Sequence, residues 1–292
     1  EKQKESCQSI ADAVRDGALR GVAGSRLRGE VGWSVKVDMV DYLRHLPLDR
    51  FEKIYVDLSA LAGGDASWAA CDANREKVVL SMPIVRDPSV DYGRMVEDAS
   101  RRGYAEWQAQ NLGDIHLFRS RGVRWYADWP LYVVNGAAVD QLLAMGAARV
   151  TFSPEDDMQN LTRTAAAAGP FGETIVYQDT PLCVSRVCGL KDRGGCPPVR
   201  CTDASPETAY SDAADELIAL RRGCVSYIVA RRPFCVSRFV PDLLRAGAER
   251  MRIDLCYRRY SGKVIERVVS RVMECKGVDG GSHSANFSRT LL

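Results

Sequence analysis

Histidine is scarce in this chain, and the residue patterns of several common enzyme classes are missing. The 292 residues include three scattered histidines, and neither an H-E-x-x-H zinc motif nor a G-x-S-x-G nucleophile elbow occurs. No Gly-rich phosphate loop follows an early strand, and no C-x2-C pair of a zinc ribbon is present. The sequence therefore gives little support to conventional hydrolysis, to a Rossmann-type nucleotide site or to a ribbon-type zinc site.

Long apolar runs and a strong net charge are also missing. No window approaches the roughly 18 consecutive apolar residues that a membrane span requires, and 40 Lys+Arg stand against 38 Asp+Glu, a formal charge of +2. No signal peptide is visible. We expect a soluble, cytoplasmic protein with no membrane span. The charge balance does not by itself predict nucleic acid binding, but basic clusters such as Arg119–Arg124 and Arg258–Arg259 leave RNA open as a partner.

Composition along the chain predicts one large domain with short flanks. Residues 1–30 are polar and glycine-containing without a sustained period, and they are interpreted as a linker or lead-in. Residues 31–275 are predicted to form the main domain, with a cysteine-rich loop at 180–235, and 276–292 to form a C-terminal tail. Because the first residues are Glu1-Lys2-Gln3, the chain is interpreted as a mature form or as a piece of a longer protein, with further domains or a partner chain left open.

A helix, a glycine and a β-rich run recur along the sequence. Helical patterns stop at Gly103, Gly122, Gly146 and Gly247, each followed within a few residues by a strand pattern, and glycine is the residue that most easily takes the left-handed conformation closing a helix. Helix-to-strand turns repeated in this way indicate parallel strands. Eight strands are predicted: WSVKV, KIYVDL, KVVLSM, YAEWQAQ, VRWYAD, ARVTF, ETIVY and RMRID.

Eight strands with intervening helices predict an α/β fold of the (β/α)8 TIM-like barrel type, with a cysteine-rich insertion after a late strand. An open doubly wound sheet is the alternative, disfavoured because no topological switch point is apparent. One helix is predicted to open at Ser153-Pro154-Glu155-Asp156, with Ser153 as its N-cap, and to end at Gly169.

Polar residues stand where the predicted strands end. In a barrel of parallel strands these ends share one face, which carries the active site. The single residues fit caps and turns equally well, so only the recurrence points to a site. They are Asp38, Asp57, Arg86, Asn111, Asp128, Asn135, Glu155, Tyr177, Asp179 and Asp254.

Cysteines are concentrated in one stretch. Cys183, Cys188, Cys196 and Cys201 have the spacing C-x4-C-x7-C-x4-C, and Cys224 and Cys235 follow. A reducing compartment disfavours disulfides, and irregular spacing without a nearby histidine suits an iron–sulfur cluster bound by thiolates from separate segments. The remaining cysteines, Cys7, Cys71, Cys256 and Cys275, are interpreted as isolated or buried thiols.

Several ordered motifs between about Asp128 and Val272 resemble one known family. The runs DWPLYVVN, RVTFSPE, IVYQDTPLCVSRVC, GLKDR and CVSYIVARRPFCVSRFVPDLLRAGAERMRID are similar to the collagenase-like peptidase family, family U-32. The resemblance covers about half of the chain. Residues Trp33 to Trp125 are similar to the barrel region of its longer members in a looser way.

The resemblance implies an iron–sulfur enzyme rather than a protease. Members are oxygen-independent hydroxylases that act on an RNA base or a small aromatic precursor, carry a 4Fe-4S cluster on four cysteines and are associated with prephenate as oxygen donor. On this basis Arg86, or Arg231 with Arg232, would hold the donor carboxylates, and Asp128 and Tyr177 would also bind substrate. Asn111, Asn135 and Glu155 would position the acceptor in catalysis. A peptidase and a non-catalytic substrate-binding barrel module remain the alternatives.

The cluster ligands are only partly defined by the resemblance. Cys188 and Cys224 match family cysteines, and Cys183 and Cys235 stand where some members have cysteine. A pair that many relatives carry between Cys188 and the L-K-D-R motif is missing here. Three explanations stay open: the later pair Cys196 and Cys201 serves as ligand, the cluster uses Cys183 and Cys235, or the site has degenerated. A second departure is RRPF at 231–234, where relatives have an Asn-Ser-Lys-like turn.

Overall fold

The computed structural model describes residues 31–61, 64–86, 90–186, 208–211, 216–222 and 225–288. Its centre is a closed ring of eight parallel strands. The seventh strand of the chain pairs with both the sixth strand and the last one, and the last strand pairs with the first. All eight predicted strands are confirmed, and the open-sheet alternative is ruled out by the closure. The ring consists of β1 (Gly32–Val37), β2 (Lys53–Asp57), β3 (Val78–Ser81), β4 (Glu106–Ala109), β5 (Arg124–Ala127), β6 (Ala147–Thr151), β7 (Gly172–Gln178) and β13 (Arg250–Leu255).

Helices surround the ring and bury its outer face. The α-helices are α1 (Asp65–Asp72), α2 (Tyr92–Arg101), α3 (Leu112–Arg121), α4 (Gly136–Ala144), α5 (Met158–Ala168), α6 (Val240–Arg245) and α7 (Gly262–Met273). A short 3-10 helix, Val40–His45, takes the place of an α-helix between β1 and β2. In the described ranges no helix has the length and apolarity needed to cross a membrane.

The glycines predicted to end helices have the expected backbone. Gly103, Gly122, Gly146 and Gly247 all have φ between 62° and 101°, a region that costs a residue with a Cβ but not glycine. The predicted start of the helix at Ser153 is wrong. Met158 is its first residue and Asp157 its N-cap, because the Asp157 side chain accepts from Asn160 N and Ser153 instead accepts from Glu155 N in the preceding turn.

A second sheet is inserted between β7 and β13. It contains β8 (Pro181–Ser185), β9 (Thr208–Ser211), β10 (Glu216–Arg222) and β11 (Val225–Ala230) in the order β8-β11-β10-β9, and β12 (Phe234–Cys235) then pairs with β7. We call these four strands the inserted sheet. An insertion after a late strand is thus present, but its cysteine-rich part stays a prediction, because Cys188, Cys196, Cys201 and Cys224 lie outside the described residues.

Residues after 275 pack against the barrel, although a tail was expected there. Phe287 is buried and its ring contacts that of Phe239 at a tilt of 50°, and its carbonyl accepts from Met158 N. His283 O accepts from Cys235 N in β12. Residues 276–288 therefore belong to the packed barrel.

Candidate active site at the barrel mouth

The interior of the barrel is polar, although barrels of this type are more often filled by branched apolar side chains. Alternate residues of each strand face inward, and in β1 these are Ser34 and Lys36, while Val35 and Val37 join the apolar core outside. On β13 the interior positions are Arg252 and Asp254. The apolar core of this protein is therefore the layer between strands and helices.

Arg252 is the centre of the interior. Its side chain is 0% exposed and forms ion pairs with three carboxylates. Nη2 lies 2.7 Å from Asp128 Oδ1, Nε lies 2.6 Å from Asp254 Oδ1, and Nη1 lies 3.2 Å from Glu173 Oε2. A planar guanidinium with five donors suits such a junction, which a lysine could not reproduce.

Lys36 is the second cation that contacts Asp128 in the barrel interior. Its Nζ lies 2.5 Å from Asp128 Oδ2, and the same oxygen accepts from Gln110 Nε2 at 2.7 Å. Gln110 Nε2 also donates to Ser81 Oγ at 2.8 Å. Asp128 thus sits between two cations and an amide at the C-terminal ends of the strands.

The pKa values of the two aspartates diverge. Burial would raise the pKa of Asp128, but Arg252 and Lys36 outweigh it and hold that pKa well below its ordinary value. Burial raises the pKa of Asp254 above its ordinary value, since the opposing pull of Arg252 does not offset it. Asp128 is therefore the firmly ionised carboxylate of the interior.

We call the face formed by the C-terminal ends of the barrel strands the mouth, and the inserted sheet packs on the loop that follows β13 at this face. Its apolar face carries Ile218, Leu220, Tyr227 and Val229 and packs on Tyr257, with the rings of Tyr227 and Tyr257 centred 4.8 Å apart. Arg258 Nη2 donates to Ala230 O at 3.0 Å. The sheet is thus attached to the loop that follows β13.

A cleft of about 520 Å³ opens where the inserted sheet, the β13 loop and α7 meet. We call it the arginine cleft. Four arginines line it against two carboxylates, and tyrosines and valines complete its walls. The residues used below are Arg231, Arg232, Arg258, Arg259, Glu216, Asp279, Tyr177, Tyr260, Val264 and Val268.

One wall of the arginine cleft is a chain of hydrogen bonds. Tyr177 Oη lies 3.3 Å from Tyr260 Oη, and Tyr260 Oη donates to Asp179 Oδ2. Arg258 holds the other oxygen of Asp179, with Nη2 at 2.9 Å and Nε at 3.1 Å. The Asp179 side chain is fully buried. The ion pair between Arg258 and Asp179 therefore holds this wall in place.

Three of the predicted substrate-binding residues meet in this cleft. Tyr177, Arg231 and Arg232 all line it, and Arg231 Nη1 lies 3.1 Å from Glu216 Oε1. Asp128 lies in the barrel interior instead. The structure therefore divides the predicted set between the cleft and the interior.

Arg86 and Asn111 lie together at the start of α3. Arg86 Nε donates to Asp114 Oδ1 at 2.8 Å, and Asn111 forms a reciprocal capping box with Asp114. Burial raises the pKa of Asp114 despite the hydrogen bonds and the cation. These contacts give both residues a structural task at the helix N-terminus.

Asn135 and Glu155 are also engaged locally. Asn135 is the N-cap of α4 and accepts from Ala138 N at 2.8 Å. Glu155 is exposed, and its Oε2 accepts from Tyr132 Oη at 2.7 Å. Their predicted catalytic roles stay predictions.

Two predicted cluster ligands fall within the described residues. Cys183 is exposed on β8, whereas Cys235 is buried on β12 with its Sγ 3.2 Å from Ser237 Oγ. The other four lie at Cys188, Cys196, Cys201 and Cys224, outside the described ranges. Within those ranges no three Cys, His, Asp or Glu side chains converge as metal ligands.

The sequence reasoning missed the cationic half of the interior. Lys36 and Arg252 were passed over as strand residues, although each occupies an inward position between two apolar outward ones, Val35 and Val37 or Met251 and Ile253. A charged residue inside a strand that is buried on both faces is the signal that could have identified them.

Comparisons with known proteins assign no family to this chain. No protein-family model and no curated protein matches the sequence. A solved structure described as "Native KDPGal structure" is similar with a TM-score of 0.49 and 10% identity over 86% of this chain and 97% of that one. A 3-hexulose-6-phosphate synthase has a TM-score of 0.40 and 11% identity over 76% and 89%. An uncharacterised B. cereus protein has a TM-score of 0.44 and 13% identity over 82% and 64%. The barrel is accordingly established by the strand order of this chain, and these structures assign no activity to it.

Proposed function

We propose that this chain is a barrel enzyme that binds an anionic substrate in the arginine cleft, of the iron–sulfur, oxygen-independent hydroxylase type that its sequence resembles. Its acceptor would be an RNA base or a small aromatic precursor, and prephenate would be the oxygen donor. The observation that carries the proposal is the convergence of Arg231, Arg232 and Tyr177 in one cleft beside the mouth.

The charge of the cleft favours an anion. Arg232 has no ion-pair partner in the described part of the chain, whereas Arg231 faces Glu216 and Arg258 faces Asp179. A guanidinium bound to a carboxylate or phosphate forms two parallel hydrogen bonds, stronger than those between neutral groups. Arg232 is therefore a cation available to a ligand.

The cysteines fit a cluster in part. Cys183 presents an exposed thiol on the inserted sheet, as a ligand must. Cys235 is engaged with Ser237 inside the apolar core and fits less well. Cys183, Cys188 and Cys224, with either Cys196 or Cys201, would be the ligand set. When bound, such a cluster supplies one-electron chemistry at the mouth.

Iron and acid-labile sulfide in anaerobically purified protein test the cluster. We expect about four of each per chain, falling to background in Cys188→Ala and Cys224→Ala because a cluster that loses one thiolate ligand is unstable. Cys275→Ala, a partly buried thiol beyond α7, is the matched control and should retain the full content. Iron-free wild-type protein, or full clusters in both ligand variants, would contradict the assignment.

Binding of prephenate, measured by calorimetry, tests the cleft. Arg232→Met is expected to weaken binding about ten-fold or more, because a charge-assisted hydrogen bond contributes about 1.5–3 kcal/mol. Arg163→Met on α5 removes a cation outside the cleft and should leave binding unchanged. Equal weakening in both variants would show a general charge effect and not a site.

These measurements also test two other functions, a non-catalytic binding module and a peptidase. An iron-free protein that still binds anions through Arg232 would be the non-catalytic binding module. A peptidase needs a nucleophile beside a general base, and His45 contacts Arg44 and Glu266 while His116 is exposed on α3. Gelatin degradation that survives loss of all six central cysteines would favour the peptidase.

A further inference from the structure

The carboxylate of Asp179 determines which group donates in each hydrogen bond of the cleft wall. Asp179 is ion-paired with Arg258, and an ionised carboxylate only accepts hydrogen bonds. Tyr260 Oη must therefore donate its proton to Asp179 Oδ2. A phenol has one proton, so Tyr260 can reach its other partner only as an acceptor.

That partner is Tyr177. Its Oη lies 3.3 Å from Tyr260 Oη, and since Tyr260 accepts, Tyr177 donates. The Tyr177 side chain is buried at 3% exposure, and burial raises the pKa of Tyr177, which keeps it a neutral phenol. Its proton is committed to Tyr260, and only the lone pairs of its oxygen remain for a ligand.

From this we infer that the arginine cleft selects an anion that also carries a hydrogen-bond-donating hydroxyl group, with Tyr177 Oη as the acceptor. A keto or ether oxygen at that place would be a second acceptor facing Tyr177 Oη, with no proton available for a hydrogen bond between them. An ammonium group would donate as well, but the surplus of arginines in the cleft repels a further positive charge. The inference rests on the proposed anion binding and adds the second group that the ligand presents.

Three carboxylates that differ at one position test the inference: 3-phenyllactate, 3-phenylpropionate and phenylpyruvate. They carry a hydroxyl, a hydrogen and a keto oxygen beside the same carboxylate, and their phenyl ring suits the apolar wall formed by Val264 and Val268. Calorimetry should show phenyllactate binding about ten-fold more tightly than the other two, as for a site built to hydrogen-bond a ligand hydroxyl.

Two tyrosine variants show whether Tyr177 Oη accepts a hydrogen bond from the ligand or only supports the structure of the cleft. Tyr177→Phe removes the acceptor and should abolish the preference while phenylpropionate binds as before. Tyr260→Phe leaves Tyr177 without its acceptor, so Tyr177 is free to donate, and the preference should shift from phenyllactate toward phenylpyruvate. Tyr104→Phe removes a similar tyrosine–aspartate hydrogen bond, 2.9 Å to Asp72, away from the cleft and should change nothing.

The outcomes distinguish the two proposals. Binding of all three carboxylates without preference, or a preference that survives Tyr177→Phe, overturns the hydroxyl inference alone. If none of the three binds to the wild-type protein although prephenate does, the hydroxyl inference alone is overturned. If prephenate does not bind either, the anion site and the inference that rests on it are both overturned, whatever the iron content.

Discussion

Replacing Arg252 with methionine is expected to lower the free energy of unfolding by about 3–5 kcal/mol, the cost of breaking a buried ion pair by removing one partner. The substitution leaves Asp128, Asp254 and Glu173 buried with their shared cation gone. Such a loss is a large part of the total stability of a typical domain. The variant should unfold at lower denaturant concentration or fail to accumulate.

Two further substitutions show whether the effect comes from this junction. Arg252→Lys keeps the charge but not the planar set of donors of the guanidinium, so we expect it to lower the free energy of unfolding by less than Arg252→Met does. Arg250→Met, two residues earlier on β13, removes a rim arginine paired with the half-exposed Glu52 and should cost less than about 1 kcal/mol. Equal losses in Arg252→Met and Arg250→Met would mean that the interior network does not contribute as its burial implies.

Replacing Arg258 with methionine is expected to affect both stability and binding. It removes the cation from the buried Asp179 and the hydrogen bond to Ala230 O in the inserted sheet. We expect the free energy of unfolding to fall by about 2–4 kcal/mol, between the contribution of a charge-assisted hydrogen bond and the cost of breaking a buried ion pair. Prephenate binding should fall more than about ten-fold because one cleft wall loses its support.

Hydrogen exchange locates the effect of Arg258→Met within the chain. Amides of β10 and β11 should exchange faster by a larger factor than those of β3 and β4, which lie on the far side of the ring. Arg259→Met is the stability control, since its exposed side chain belongs to the same loop, and it should cost less than about 0.5 kcal/mol. Uniform acceleration in all strands would indicate global destabilisation and would contradict a local tether.

The ring of strands was predictable because its signals are local. Each barrel strand is a short run rich in β-branched and aromatic residues, and the glycines at 103, 122, 146 and 247 mark helix ends by a conformational requirement that few other residues meet. The helix start near Ser153 was misplaced because two residues compete as N-cap. Asp157 and Ser153 both precede helix-forming residues, and only packing decides between them.

The site was predictable only in part. Tyr177, Arg231 and Arg232 were recognised, but their convergence depends on the path of the inserted sheet, which no spacing in the sequence specifies. Arg86 and Asn111 show the opposite case, because residues at strand ends are also helix caps, and the structure gives them that local task. The interior pair of Lys36 and Asp128 joins residues 92 positions apart, which only the closed ring brings together.

Closure of the barrel between β1 and β13 also determines the order in which the molecule can form during synthesis. Residue 32 pairs with residue 250, so the first strand of the ring waits for its partner until most of the chain has left the ribosome. Synthesis at about 5–20 residues per second makes this a delay of at least about ten seconds. The arginine cleft is built from segments between 177 and 281, and a nascent chain therefore completes this cleft only after the last barrel strand has emerged.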